Sequence, residues 1–255
     1  MKLKIVSALV TALTLTSAQA DVLGIYIGGQ VWDSNASGIF GESGNQVDFN
    51  LKDKKQGSYF LAVEHPVPFI PNARISATSL DSTGVATLSR DIEFADQAFT
   101  AGSVVNSNFD VSYVDYTLYY EIFDNGLFSF DIGLTGRDFE GDIAVSSTIS
   151  TSGNTSTVKG TLKTDEIIPM LYASTTVGLP FTGFSVFAEG NFLSFKDHTL
   201  HDYQAGISYE LIDNLAVDVS LTLGYRATSL KLEDIDNLYT DLEFKGVFAG
   251  AVIHF

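Results

Sequence analysis

Charged residues occupy alternate positions in several otherwise apolar stretches of this sequence. In Phe128–Arg137, Asp131 and Arg137 share one side of the alternation, and apolar residues occupy the other. Because successive side chains of a β-strand project to opposite faces, such charges would converge on one interior if the strands closed on themselves. The candidates for lining this interior are three arginines and seven carboxylates: Glu64, Arg74, Asp115, Glu121, Asp131, Arg137, Glu189, Glu210, Asp218 and Arg226.

These charges are compatible with two kinds of interior. Buried charges must be paired, so the arginines and carboxylates would form a hydrogen-bonded network that plugs the lumen. Alternatively, rings of carboxylates favour cations, and the acidic excess would then line a narrow, cation-preferring pore. The sequence leaves both arrangements open.

A second constellation lies at Asp197–Asp202, where His198 and His201 stand between two aspartates. A histidine beside a carboxylate can activate water. The layout resembles that of omptin-type outer-membrane proteases, and this resemblance implies a rim-site hydrolase with Asp81 or Asp91 as partner carboxylates. Two solvated loop histidines are the alternative. Because the sequence contains no established catalytic motif, we expect no enzymatic activity, no catalytic residues, no cofactor and no metal.

The elements that position these residues are predicted to be strands. Leu215–Arg226 alternates strictly between apolar and polar residues, as do Tyr203–Leu211 and Leu127–Arg137. A helix would scatter these apolar residues around its surface, whereas a strand gathers them on one side. Ten strands are predicted, at residues 22–32, 57–65, 73–81, 109–122, 127–138, 164–178, 184–195, 200–211, 215–228 and 241–255.

The connections between these segments alternate in length. Short turns are expected at 65–72, 124–126, 178–183 and 212–214, and longer connections at 33–56, 82–108, 139–163, 196–199 and 229–240. Short periplasmic turns and longer outer loops are typical of outer-membrane barrels. We therefore predict an all-β protein, a closed antiparallel transmembrane β-barrel of ten strands, with eight or twelve as alternatives.

The N-terminus has the layout of a secretory signal peptide. Lys2 and Lys4 precede a short apolar run, and Ala18-Gln19-Ala20 forms a small-x-small cleavage site. We therefore expect a cleaved signal peptide at 1–20 and the barrel domain at 21–255. The formal net charge of −17 argues against nucleic acid as a partner. The sequence contains no cysteine, so disulfides cannot hold the fold.

The C-terminus carries apolar residues at alternate positions and ends at Phe255. This resembles the signal that outer-membrane barrels present to their assembly machinery, which implies that Phe255 directs insertion. The segments Gly24–Trp32 and Val63–Arg74 resemble a family of small, poorly characterised outer-membrane β-barrels of gammaproteobacteria. The resemblance implies a location in the outer membrane, with both termini in the periplasm and with membrane lipid and lipopolysaccharide as surroundings. It implies no catalytic residues, and the oligomeric state is left open.

The function predicted from the sequence is therefore that of an integral outer-membrane barrel. It would serve a structural or envelope-interaction role, or form a narrow, largely plugged pore for small solutes or cations. The rim-site hydrolase at His198 and His201 is the alternative.

Overall fold

The computed structural model describes residues 23–151, 154–196, 198–214, 216–235 and 237–255. The expected signal peptide lies outside them. The described chain is all-β, and none of its residues forms a helix long and apolar enough to cross a membrane. Its strands are β1 Gly24–Gly41, β2 Lys54–Glu64, β3 Asn72–Thr78, β4 Asp81–Thr87, β5 Ile92–Phe94, β6 Gln97–Phe99, β7 Val104–Asp110, β8 Tyr113–Asp124, β9 Phe128–Thr151, β10 Asn154–Leu179, β11 Phe184–Phe195, β12 His198–Ile212, β13 Asp218–Ile235 and β14 Leu238–His254.

Ten of these strands form a closed antiparallel barrel, which confirms the predicted fold class and strand number. Around the barrel the order is β1, β2, β3, β8, β9, β10, β11, β12, β13 and β14, and β14 pairs back onto β1. Ile25 and Phe255 exchange backbone hydrogen bonds of 3.2 and 3.0 Å, so the first and last described strands meet at one end. We call this the short-turn end and the opposite end the long-loop end.

An apolar belt surrounds the wall of the barrel. Its outward-facing side chains include Val31, Leu118, Leu134, Leu223 and Val247, all of them exposed. At about 3.3 Å per residue and a tilt near 40°, the belt residues Tyr203–Leu211 cross about 20 Å. Exposed aromatic residues border the belt on both sides: Tyr59, Tyr116, Tyr203 and Tyr225 towards the long-loop end, and Tyr120, Phe128, Phe184 and Tyr209 towards the short-turn end.

Beyond the belt, the apolar face of the strands changes sides. In β14, Val247 faces outward and is exposed, whereas Leu242 and Phe244 face inward and are buried. β13 changes in the same way, from an exposed Leu223 to a buried Leu230. The barrel is therefore apolar outside along the belt, while its extension at the long-loop end has an ordinary apolar core. We call this extension the projection.

The projection corrects several predicted loops. The connections 139–163 and 229–240 were expected to be irregular, but most of their described residues continue as paired strands of β9–β10 and β13–β14. The described residues of 146–157, in the middle of the first connection, are strand as well. In these extensions the apolar side chains face inward, opposite to those of the belt, so the alternation changes phase where a strand leaves the belt.

The two other long connections fold over the interior. The 82–108 segment, expected as a loop, contains β5, β6 and most of β4 and β7. β7 pairs with both β4 and β9. In the 33–56 segment, β1 runs on to Gly41, and the chain then brings Phe49 and Leu51 into the core. Both segments thus contribute to filling the barrel at its long-loop end.

Candidate functional site

The lumen is crossed by a buried network centred on Asp202. Arg137 donates from Nε and Nη2 to the two carboxylate oxygens of Asp115, both at 2.7 Å. Its Nη2 also donates to Asp202 Oδ2 at 2.7 Å. From the other side, Arg226 Nε and Nη2 donate to Asp202 at 3.0 and 2.9 Å. Two arginines and two aspartates balance each other in charge, as buried ions must.

Hydroxyl groups complete the coordination of this network. The Tyr113 hydroxyl donates to Asp202 and accepts a 2.9 Å bond from Arg226 Nη2. Thr228 Oγ1 donates to Asp202 Oδ1 at 3.1 Å. The Arg137 guanidinium also lies 3.7 Å from the centre of the Tyr113 ring, a cation–π distance. Arg137 is completely buried, and its Nη1 has no hydrogen-bond partner among the described residues. Nearly every other polar atom of the network is hydrogen-bonded within it.

The structure places the other sequence candidates nearer the short-turn end. Arg74 donates to Glu189 at 3.1 Å and lies 3.8 Å from the centre of the Phe60 ring. Glu64 accepts a 2.8 Å bond from the Tyr119 hydroxyl. Asp131 is half-buried and lies opposite Glu121 in the β8–β9 pair. Asp218 Oδ2 lies 3.2 Å from His254 Nδ1. Glu121 and Glu210 are exposed.

A cavity of about 320 Å³ lies on the short-turn side of the network. Serine and threonine hydroxyls line much of its wall, including Ser58, Ser174 and Thr222, and Arg74 and Glu189 also border it. The network residues Asp115, Asp202 and Arg226 are among its lining, so the cavity reaches the network. A polar solute of modest size fits this chamber.

On the long-loop side of the network, the interior is apolar. The Phe40 ring packs against Phe49 at 4.4 Å and against Phe109 at 5.0 Å between centres, and Phe109 lies 6.3 Å from Phe244. All four rings are fully buried, as is Ile143 beside them. We call this core the apolar plug. Together, the network and the plug separate the cavity from the long-loop end.

Three members of the network were not among the lumen candidates from the sequence: Asp202, Tyr113 and Thr228. Asp202 was grouped with His198 and His201 in a rim loop, but it lies on β12 and faces the lumen. The alternation that places Gln204 and Gly206 on the lumen side also places Asp202, two residues earlier, on that side. Tyr113 lies at the start of β8 and carried no signal, because its role depends on pairing across the barrel.

The two histidines do not converge on a common site. They are three residues apart on β12 and therefore project from opposite faces of the strand. His198 Nδ1 accepts the backbone N–H of Glu233 at 3.3 Å, while the His201 ring lies 6.0 Å from the outward-facing Phe192. Of the suggested partners, Asp81 pairs with Lys54, and Asp91 accepts the N–H of Ala101 at 2.7 Å.

One group of carboxylates lies close together at the short-turn end. Ligand oxygens of Glu210, Asp213 and Asp218 lie within 4.8 Å of one another. Two of these residues are exposed, and exposed acidic residues commonly cluster at turns without holding an ion. The expectation that the protein has no metal site stays a prediction.

The fold and the belt define a β-barrel protein. Three solved structures share features of this architecture. The outer membrane protease OmpT from Escherichia coli aligns at 8% identity over 95% of this chain and 99% of its own, with a TM-score of 0.46. A Pseudomonas aeruginosa FadL homologue aligns at 10% identity over 96% and 93%, with a TM-score of 0.37. The Pseudomonas putida toluene transporter TodX aligns at 9% identity over 92% and 89%, with a TM-score of 0.30.

No family model matches the chain, and no curated protein matches it either. The resemblance to a gammaproteobacterial family therefore stays a prediction. These comparisons do not assign the chain to a family.

Proposed function

We propose that this protein is a non-conducting outer-membrane β-barrel with a structural or envelope-interaction role. The belt supports the membrane part of the proposal, because exposed apolar residues bordered by aromatic residues match a lipid bilayer and its interfaces. Short turns and both ends of the described barrel lie together, which favours a short-turn end in the periplasm. The projection would then stand outside the cell.

The observation that carries the proposal is the sealed lumen. An ion entering from the short-turn end would reach the network, where the buried aspartates are already paired with arginines. Beyond it lies the apolar plug, whose aromatic side chains offer no polar groups to replace an ion's hydration shell. Transfer of an unpaired ion into such surroundings costs tens of kcal/mol in the limit of a low-dielectric medium. The arrangement supports a plug rather than a narrow cation pore.

The projection supports the interaction role. It is a packed, strand-rich extension, and its core includes Leu80, Val105, Leu230 and Leu242, all nearly inaccessible to solvent. Such a core fixes the positions of the surrounding surface residues. A rigid surface standing beyond the membrane is suited to contact with other envelope components, including lipopolysaccharide.

We also propose that the protein has no hydrolytic activity. Two observations support this: His198 and His201 face opposite sides of β12, and the suggested partners Asp81 and Asp91 are bound to Lys54 and to the Ala101 N–H instead. We also propose that the barrel assembly machinery is a partner of the protein and that it recognises the terminal strand. Removing Phe255 should then reduce the amount of folded protein in the outer membrane of producing cells.

Proteoliposome swelling tests the proposed seal. Purified barrel is reconstituted and exposed to small sugars and amino acids, with a general porin as positive control. The same sample is run on a gel with and without heating, because heat-modifiable migration shows that the barrel is folded. We expect folded protein and no swelling above that of empty liposomes. Swelling at a rate that depends on solute size would contradict the seal.

A further inference from the structure

Two turns at the short-turn end present the same unusual dipeptide. Pro68-Phe69 lies in the connection between β2 and β3, and Pro180-Phe181 lies between β10 and β11. Both phenylalanines adopt left-handed backbone conformations, with φ of +66° and +65°. Both rings are almost completely exposed: Phe69 at 94%, and Phe181 at the level of a free side chain.

This conformation is unfavourable for a residue as bulky as phenylalanine. In this kind of turn, proline occupies the first of the two central positions and the next residue has a positive φ. Glycine and asparagine adopt that conformation most easily. In the second turn, Thr182 N donates to Leu179 O at 3.3 Å, which closes the turn with Phe181 at that position. Strained residues of this kind persist where the strain serves a purpose. Here, each turn keeps a large apolar ring where glycine would fit without strain.

Both turns lie against the border of the apolar belt. The hydroxyl of Tyr120, a belt residue, donates to the Phe69 carbonyl oxygen at 2.9 Å and draws the first turn towards the belt side. In the second turn, a Cβ at Gly183 would lie 3.5 Å from the ring of Tyr209. Tyr209 in turn packs against Phe184, with 4.7 Å between ring centres. The two exposed phenylalanines thus continue the aromatic border of the belt beyond the ends of the strands.

The two turns lie on nearly opposite sides of the barrel. The β2–β3 turn and the β10–β11 turn are four strands apart around the ten-stranded barrel. The other two connections at this end alternate with them and are polar at their tips, at 124–126 and 213–214. The Pro-Phe turns are therefore two separate contacts placed across the barrel rather than one continuous patch.

We infer that Phe69 and Phe181 are membrane anchors, which insert into the phospholipid interface of the leaflet at the short-turn end. Aromatic rings are favoured at this depth of a bilayer. Insertion removes both rings from water and so offsets the strain of their turns. Because the anchors lie on opposite sides, together they fix the depth and the tilt of the barrel. This inference rests on the proposed insertion of the belt with the short-turn end in the periplasm, but not on the seal.

Single-cysteine labelling tests the inference, since the chain has no cysteine of its own. An environment-sensitive fluorophore is attached at Phe69→Cys or Phe181→Cys, and the full barrel is reconstituted into phosphatidylcholine vesicles. Asp213→Cys, in a polar turn, is the control for exposure to water. Leu223→Cys, in the belt, is the control for insertion. Quenching is then measured with lipids that carry nitroxide groups either near the headgroup or deep in the acyl chains.

We expect probes at 69 and 181 to show blue-shifted emission and strong quenching, and the probe at 213 to show neither. Emission at 69 and 181 as red and unquenched as at 213, with normal quenching at 223, would overturn the anchors while leaving the barrel inserted. A probe at 223 that is not quenched by any lipid would instead contradict the insertion of the belt and overturn both proposals.

A second set of variants separates the effect of the aromatic ring from the effect of the strained backbone. Phe69→Gly with Phe181→Gly relieves the backbone, whereas Phe69→Ser with Phe181→Ser leaves polar residues in strained turns. We expect both double variants to shift the quenching depth of a probe at position 223 relative to the parent. An unchanged depth in both would show that the rings do not position the barrel.

Discussion

Removal of Asp202 should destabilise the barrel more than any other single carboxylate substitution in the lumen. Asp202 accepts five hydrogen bonds, from Arg137, Tyr113, Thr228 and two nitrogens of Arg226. In Asp202→Ala, one remaining aspartate would face two buried guanidinium groups. Breaking a buried pair by removing one partner costs about 3–5 kcal/mol, because a charge is left uncompensated. We expect the free energy of unfolding to fall by that amount.

A double substitution separates charge balance from packing. In Asp202→Ala with Arg226→Leu, Arg137 keeps its two bonds to Asp115, and the interior is neutral again. We expect the double variant to regain about 1–3 kcal/mol relative to Asp202→Ala, within the usual range of coupling between contacting residues. Glu210→Ala, which removes an exposed carboxylate, is the matched control and should change stability by about 0.5 kcal/mol or less.

The assay is urea unfolding of the barrel refolded into lipid vesicles, followed by heat-modifiable migration. The reasoning is refuted if Asp202→Ala unfolds within about 1 kcal/mol of the parent, which is the effect of an ordinary surface change. It is equally refuted if the double variant is less stable than Asp202→Ala. In either case the network would not be the charge-balanced element described above.

Three further predictions follow from the packing. Phe109→Ala should cost about 3–5 kcal/mol by opening a void in the apolar plug, measured by the same unfolding assay; a loss below 1 kcal/mol would mean that the plug is loosely packed. Gly246→Ala should reduce the yield of folded barrel on refolding, because its Cβ would lie 1.8 Å from the Asp33 carbonyl oxygen; an unchanged yield would contradict that close approach. Lys54→Ala should change stability by about 1 kcal/mol or less, because its ion pair with Asp81 is exposed on the lysine side, and a larger loss would contradict this assignment.

The membrane-spanning part of the fold could be predicted because lipid imposes a simple pattern on the sequence. In β13, Leu221, Leu223 and Tyr225 alternate with small or polar residues, which predicts a strand with one apolar face. Turn residues such as Asn125-Gly126 then separate the strands. These two signals predict ten strands, with eight or twelve as alternatives.

The projection could not be predicted with the same rule. Between Phe244 and Val247 the apolar positions change from one face of β14 to the other, and the same change occurs in β13. Such a change interrupts the alternation, and an interrupted alternation predicts the end of a strand and the start of a loop. The polar residues of 146–157 reinforced this error, since serine and threonine are common in turns as well as on exposed strand faces.

The network was only partly accessible from the sequence because its contacts are distant along the chain. Arg137 meets Asp202 across 65 residues, and Arg226 meets Tyr113 across 113. Alternation indicates which face a residue occupies, but the choice of partner depends on strand register and barrel closure. The apolar plug was equally inaccessible, since Phe49 reaches it from an irregular segment between β1 and β2.

The central claim is that the lumen is sealed, and single-channel recording in a planar lipid bilayer tests it most directly. The folded barrel is inserted under an applied voltage in concentrated potassium chloride, with heat-modifiable migration confirming that the sample is intact. The sealed lumen predicts a current that stays at the level of the bare bilayer after insertion. Reproducible, cation-selective conductance steps that decrease when Glu210 and Asp218 are neutralised would contradict it and would establish the narrow pore instead.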